Sequence, residues 1–272
     1  MTESERIAIR IRDLTRWFLI KGRPIHALAG IDLDVRAGEF LCIVGPSGCG
    51  KTTILRILAG LDRQTTGSIE VVAPRGSAGS DGQPLSSVVF QEQSIFPWMR
   101  VRDNVAFGLR ARGISRAVRT RIAAEHIRQV GLSEFADAWP HQLSGGMKQR
   151  VAIARALAND PHILLMDEPF AALDEQTKLV LQDELLRIWE RSRKTVLYVT
   201  HSLDEAILLA DRVLVMSQRP GRILRILDMP FDRPRTIRRV RSDARYGPLF
   251  NEIWELLRHN VARQPLAAEV PA

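Results

Sequence analysis

Cysteine is scarce, with two in 272 residues, Cys42 and Cys49. A disulfide scaffold is therefore excluded. The pair spans what reads as a strand running into a loop, which does not suit a disulfide, so both are expected as free thiols in a reducing compartment. No apolar run approaches the roughly 18 residues that a membrane helix needs. The opening residues, MTESERIAIRIRD, alternate charged and apolar character and do not read as a signal peptide. There is no internal repeat and no sustained heptad pattern. Aromatics are only 6% of the chain. No basic stretch interleaves with them, so stacking platforms for nucleic-acid bases are absent and no nucleic-acid partner is expected.

Apolar residues make up 45%, enough for a substantial core. The length suits one large domain with a subdomain better than two full-sized ones. Formal net charge is +8, and the excess is concentrated. Between Arg219 and Arg245 stand nine arginines and three aspartates. Such a segment suits nucleic acid, an anionic membrane surface or an acidic partner. Composition alone favours a solvated, poorly packed C-terminal segment.

The hydrophobic pattern is that of an α/β chain. IAIRIRD and IDLDV alternate as half-buried strands do, and predict a small antiparallel sheet near the N-terminus. EFLCIVG, HILLMDEP and KTVLYVTH are nearly continuous apolar runs, the pattern of strands buried on both faces. SSVVF, DRVLVMSQ and GRILRILD add further strands. Helical stretches alternate with them, which implies a mainly parallel sheet with right-handed crossovers. From Val101 to Asn159 the chain is helical, an insert of about residues 92–158 between strands of that sheet. Ala73 to Ser87, rich in Gly, Pro and Ser, reads as a surface loop.

Gly45-x4-Gly50-Lys51-Thr52 fits the phosphate-loop pattern, between a buried strand and a helix. Glycines let backbone N–H groups turn inward around phosphate oxygens, and the helix adds its positive end. Lys51 would reach the β- and γ-phosphates, and the Thr52 hydroxyl would ligate Mg²⁺. Asp167 ends an apolar strand, where a carboxylate can hold Mg²⁺. Glu168 follows it. Read from the residues alone, it fits a capping or surface acid as well as a base for the attacking water. His201 ends the next strand, as a plain loop histidine or as a donor to the γ-phosphate. Gln91 follows VVF, as a surface glutamine or as a ligand to Mg²⁺ or to water. A second glycine turn, LSGGMKQR, opens a helix a hundred residues downstream, with Ser144 in the N-cap position.

GPSGCGKTT, VVFQE, LSGGMKQR, ILLMDEPF, AALD and VTHS occur in this order. Together they resemble the ATP-binding subunits of ABC transporters, from about Ile7 to Leu227. The resemblance implies a P-loop core with an N-terminal antiparallel β subdomain and an inserted helical subdomain. It implies a cassette over 1–229, followed by a basic tail over 230–272 with a short helix. ATP and Mg²⁺ are the implied ligands. Phe18 would stack on adenine, with Trp17 as the neighbouring alternative. Gly45, Pro46, Ser47, Gly48, Cys49, Gly50, Lys51, Thr52 and Thr53 would hold the phosphates. Thr52, Gln91 and Asp167 would serve the metal. Glu168 would be the base, His201 the switch histidine, and Gln91 the sensor of ATP.

The resemblance also implies a use for the second glycine turn. Two subunits pack head to tail, so Ser144, Gly145 and Gly146 would face ATP held by the other chain, and Asp174 would cross the interface. One nucleotide is not easily wrapped by both turns of a single compact core.

More locally, SVVFQEQSIFPWMRVRDNVAFGL and MSQRPGRILRILDMPFDRPR look like the nitrate/taurine/sulfonate importer group. That implies a bacterial importer of a small organic or inorganic anion. The subunit would lie peripherally on the cytoplasmic face of the inner membrane. Its partners would be a second copy, separate permease subunits and, indirectly, a periplasmic solute-binding protein. The basic tail would lie near the anionic inner leaflet, at about 1 kcal/mol per Arg. The rival expectations are an exporter ATPase subunit and a soluble ABC ATPase acting on nucleic acid.

Overall fold

The computed structural model describes residues 6–72, 83–92, 94–171 and 173–261. Two sheets and a helical layer share the chain. The N-terminal sheet starts with a long hairpin, β1 (Ile7–Ile20) and β2 (Arg23–Arg36). Lys21 and Gly22 join the strands with φ of 49° and 75°, the left-handed pair that matches hairpin twist. A third strand, β4 (Thr66–Val71), pairs antiparallel with β1, giving the order β2-β1-β4. The alternation of IAIRIRD puts Ile9 and Ile11 into the core.

The central sheet has six strands. They are β3 (Phe40–Val44), β5 (Ser86–Val89), β6 (Ile163–Asp167), β7 (Thr195–Thr200), β8 (Arg212–Met216) and β9 (Ile223–Asp228). Their order is β5-β6-β7-β3-β8-β9, parallel except for the last pair. Apolar content on both faces of each central strand explains the continuous apolar runs. Phe40, Cys42 and Val44 join one core, with Met166, Tyr198 and Val215. Leu41 and Ile43 join the other, with Leu165, Val199 and Leu214. Helix α1 (Lys51–Leu58) and the antiparallel sheet cover the second face. Helices α6 (Glu175–Ser192) and α7 (Leu203–Leu209) cover the first. Both cysteines are buried free thiols.

The helical layer comprises α2 (Val101–Val105), α3 (Phe107–Ala111), α4 (Arg116–Gln129) and α5 (Gly145–Ala158). It packs around its own core of Val101, Val105, Leu109, Ile127, Val151 and Ala154. The segment from Ala73 to Ser87 lies partly outside the described residues. Its last two residues, Ser86 and Ser87, begin β5.

The C-terminal segment is not the solvated tail that its composition suggests. Met229, Phe231, Val240 and Ile253 are buried in the main core. Beyond β9 come α8 (Ile237–Arg241) and α9 (Tyr246–Val261), so the segment carries a sixteen-residue helix besides a short one. Several arginines face inward. The Arg233 guanidinium lies 2.9 Å from Asp211 and stacks 4.4 Å from the centre of the Trp189 ring. Arg235 donates to the carbonyls of Ala210 and Phe231 at 2.9 and 2.8 Å. Burial, with Arg233 beside it, lowers the Arg235 pKa to about 10, which leaves it charged at neutral pH. An arginine with carbonyl and carboxylate acceptors can be buried, and a composition count does not see the acceptors.

Candidate active site

Parallel strands present their C-terminal ends on one edge, and that edge gathers the chemistry. The loop after β3 runs into α1. Gly50 precedes the helix with φ of 101°, a left-handed conformation that glycine adopts without a Cβ clash. No side chain caps α1, so the first-turn N–H groups and the positive helix end stay open to an anion. Lys51 is buried and donates to the carbonyls of Gly45 and Pro46 at 2.7 and 3.0 Å. Cys49 points into the core. Burial raises its thiol pKa, and nearby Lys51 draws it partly back.

Thr52 donates its hydroxyl to the Asp167 carboxylate at 3.1 Å. Asp167 is buried at the end of β6. Burial pushes its pKa up, Glu168 adds to the rise, and Thr52 and Lys51 oppose it. These are two hard oxygen donors, the kind that Mg²⁺ takes together with phosphate and water. The residues present therefore fit the cation.

Glu168 follows at once, and its backbone is left-handed, φ 43°. For a non-glycine residue this is a strained conformation, the kind that gathers at functional sites. Its N–H bonds the Val199 carbonyl of β7 at 2.9 Å, which fixes the turn. The side chain then meets two others at one atom. Nδ1 of His201 lies 2.9 Å from Glu168 Oε2, and Nε2 of Gln91 donates to the same oxygen at 3.4 Å. Three strand ends thus converge on one carboxylate.

His201 is itself held from behind. Thr200 donates its hydroxyl to the buried Glu205 carboxylate at 2.6 Å and accepts the Ser202 N–H at 3.0 Å. Tyr198 donates to the same carboxylate at 2.9 Å. Lys178 of α6 lies 3.7 Å from Glu205.

A cleft of about 540 Å³ lies over this edge. Ser47, Gly48, Gly50, Lys51, Thr52, Thr53, Gln91, Glu168 and His201 line it. Phe18, rather than Trp17, lines its apolar end with Ile20, Ile25 and Ala27. The Arg16 guanidinium lies 4.3 Å from the Phe18 ring centre.

Ser144, Gly146 and Asp174 lie elsewhere, in a second cleft of about 340 Å³ that shares no lining residue with the first. Ser144 caps α5 by accepting the Met147 N–H at 3.3 Å, and Gly145 is the first residue of that helix. Asp174 caps α6 by accepting the Thr177 N–H at 2.9 Å, which holds its pKa below the usual carboxylate range. Gly146 packs toward this cap, for an added Cβ would stand 3.2 Å from Leu173.

Two contributors were missed in the sequence. Asn104 is fully buried and pins the loop after Gln91, donating to the carbonyls of Phe96 and Met99 and accepting the Phe96 N–H. One Asn inside a helical pattern carries no signal of that role. Arg219 also lines the first cleft, and the only hint was the Pro-Gly turn that follows it.

Known proteins share the sequence pattern and the fold. Residues 28–171 match the model of the ABC transporter family. An uncharacterised ABC transporter ATP-binding protein of Methanocaldococcus jannaschii is 52% identical over 235 residues, covering 85% of each chain. The nitrate import ATP-binding protein NrtD of Synechocystis sp. is 46% identical over 257 residues, covering 92% of this chain and 95% of that one. The taurine import ATP-binding protein TauB of Rhizobium johnstonii is 44% identical over 237 residues, covering 87% and 89%. Among solved structures, a dimeric ATP-binding cassette in a post-hydrolysis state, bound to ADP and Pi, superposes with a TM-score of 0.72 at 32% identity. That match covers 82% of this chain and 100% of that one. With its phosphate loop, its strand-end carboxylates and its helix-capping glycine turn on this fold, the chain belongs to the ABC transporter family, as an ATP-binding cassette.

Proposed function

We propose that the protein is the ATP-hydrolysing subunit of an ABC importer, driving uptake of a small anion through separate permease chains. The ATPase reading is carried by the meeting of Gln91, Glu168 and His201 at one oxygen beside the phosphate loop. In this reading Phe18 offers a face for adenine, and the loop from Gly45 to Thr53 holds the phosphates. Thr52, Asp167 and Gln91 would hold Mg²⁺. The chemistry the cation supplies when bound is charge neutralisation on the phosphate oxygens. Glu168 accepts a hydrogen bond from the attacking water and draws off its proton as the water oxygen bonds to the γ-phosphorus. The bond from that phosphorus to the β–γ bridging oxygen breaks, so that ADP leaves and phosphate is formed. His201 holds the Glu168 side chain in place.

The second cleft supports a two-chain site. Ser144, Gly146 and Asp174 line a cleft that has no lining residue in common with the cleft of the phosphate loop. A second copy, packed head to tail, would bring them to the nucleotide and supply the positive N-terminal end of α5 as an anion site. The dimeric state of the structural relative supports this arrangement.

The names of the nitrate and taurine relatives support import, and an anion such as nitrate, taurine or another sulfonate as cargo. Among the described residues no helix is long and apolar enough to cross a membrane. A peripheral position on the cytoplasmic face, on permease subunits fed by a periplasmic binding protein, completes the reading. The loop from Ser94 to Arg100, pinned by Asn104 and carrying exposed Trp98, is the surface offered to the permease.

The test is phosphate release by the purified chain with Mg²⁺ and with a chelator, followed by uptake of labelled nitrate and taurine in cells lacking the subunit. Hydrolysis insensitive to chelation, or anion uptake unchanged by the deletion, would overturn the corresponding part.

A further inference from the structure

The loop between β8 and β9 forms part of the wall of the nucleotide cleft, and no motif accounts for it. Ser217 staples its turn. The Ser217 N–H donates to the Arg222 carbonyl, its hydroxyl reaches the carbonyls of Gln218 and Pro220, and the Arg222 N–H donates to its Oγ. Gly221 then stitches the turn to β2. Its N–H donates to the Ala27 carbonyl at 2.8 Å, and its carbonyl accepts the Ala29 N–H at 3.0 Å. Ala27 is itself a cleft residue. On its other side Gly221 lies against the phosphate loop, so close that an added Cβ would stand 2.0 Å from the Cys49 carbonyl oxygen. The turn is therefore wedged between the apolar wall and the phosphate loop, and its position is set by both.

Arg219 projects from this fixed turn. It is exposed and lines the same cleft as Ser47, Gly48 and Lys51. Other arginines of the basic stretch are committed elsewhere. Arg225 pairs with Glu252, Arg233 and Arg235 with Asp211, and Arg245 with Asp243. Among the described residues no carboxylate pairs with Arg219. An unpaired guanidinium on a rigid turn, beside a loop built for phosphate, has a planar fork suited to phosphate oxygens.

We infer that Arg219 is a nucleotide-binding residue that engages the phosphate chain bound in the cleft of its own subunit. This rests on the reading of the cleft as an ATP site. The contact is made to bound nucleotide before and during hydrolysis, so its loss falls on KM rather than on kcat.

The test compares wild type, Arg219→Ala, Arg219→Lys and Lys51→Ala. Displacement of a fluorescent ATP analogue by ATP and by inorganic tripolyphosphate reads affinity, and steady-state hydrolysis reads KM and kcat. One charge-assisted hydrogen bond at an exposed rim predicts about a tenfold loss of affinity in Arg219→Ala, for both competitors. Arg219→Lys recovers part of it, and thermal unfolding of the free protein stays at the wild-type temperature. Affinity within twofold of wild type sinks the assignment. So does a loss for ATP but not for tripolyphosphate, which places the contact on the nucleoside instead. A lowered unfolding temperature in both Arg219 variants also sinks it, by making the role structural. If wild type fails to bind ATP, or Lys51→Ala binds as wild type does, the ATP-site reading itself fails, and that outcome is distinct from a failure of Arg219 alone.

Discussion

Oε2 of Glu168 and Nδ1 of His201 stand 2.9 Å apart, joining the ends of two adjacent parallel strands. The left-handed backbone of Glu168 sets that carboxylate over the cleft instead of along the strand. Glu168→Gln keeps the shape and one acceptor oxygen but removes the carboxylate proposed as the base. Hydrolysis falls by about 10²–10³, the cost of losing one preorganised group, while ATP still binds. Phosphate release and nucleotide binding check this together. In the two-chain reading the variant also accumulates as an ATP-bound dimer, seen by light scattering. Turnover near the wild-type rate would remove Glu168 from the chemistry.

Asp167 carries a burial cost that, in the proposed reading, bound Mg²⁺ and nucleotide relieve. Its folded pKa lies above the ordinary carboxylate value because it is buried. The folded state therefore binds its proton more tightly than the unfolded state does. As pH rises from the ordinary carboxylate value through the raised one, stability falls, and the full penalty remains at neutral pH. Asp167→Asn removes that penalty. The nucleotide-free variant is expected to unfold at a higher temperature than wild type at neutral pH. Added ATP and Mg²⁺ then stabilise the wild type and not the variant. Thermal melts at pH 5 and pH 7.5 check the sign, since the difference between the two proteins shrinks at the lower pH. A variant less stable than wild type without nucleotide would contradict the account.

The strand ends explain why so much was legible in sequence. A sheet buried on both faces writes its strands as unbroken apolar runs, and a polar residue closing such a run marks the functional edge. Gln91, Asp167, Glu168 and His201 could be placed on that edge for this reason. The residues alone left surface or loop readings open for Gln91, Glu168 and His201, and their roles came only with the family resemblance. Phe18 was readable only to within one residue, because strand alternation does not say which face meets the cleft. Strand β4 was missed, since TGSIEV is short, holds a glycine and is largely exposed. The packing of Arg233 and Arg235 was misjudged because their acceptors are distant in sequence, at Asp211, Ala210 and Glu190. Arg219 was counted as part of a charge run, when its place is set by a contact between Gly221 and the phosphate loop.

Glu205 tests how the turn that carries His201 is held. Its buried carboxylate accepts hydroxyl hydrogen bonds from Tyr198 and Thr200, and Thr200 in turn holds the Ser202 N–H. Glu205→Leu leaves two buried hydroxyls without acceptors and Lys178 without its inner carboxylate. The cost is about 3 kcal/mol of stability. Glu205→Gln keeps one acceptor oxygen and costs less, about 1 kcal/mol. Denaturant unfolding separates the two. The turn that carries His201 loosens in both, so kcat falls with ATP affinity little changed. Equal stability of Glu205→Leu and wild type would show that the network bears no weight.

Adjacent positions on α9 decide whether the C-terminal segment belongs to the core. Ile253 is fully buried against the main cluster, whereas Trp254 is 52% exposed. A solvated appendage predicts that Trp254→Ala and Ile253→Ala are equally harmless. Packing predicts a sharp contrast, because Ile253→Ala removes buried methyl and methylene groups and leaves a cavity, at about 2–5 kcal/mol. Trp254→Ala removes mostly solvated surface and stays within about 0.5 kcal/mol. Denaturant midpoints of the two variants read the difference directly. The effect reaches the active-site side through Tyr246, which opens α9 and donates its hydroxyl to Asp204 in the first turn of α7, three residues after His201. Loss of α9 packing therefore also lowers the hydrolysis rate, and a variant with Ile253→Ala that keeps both its midpoint and its rate would return the segment to solvent.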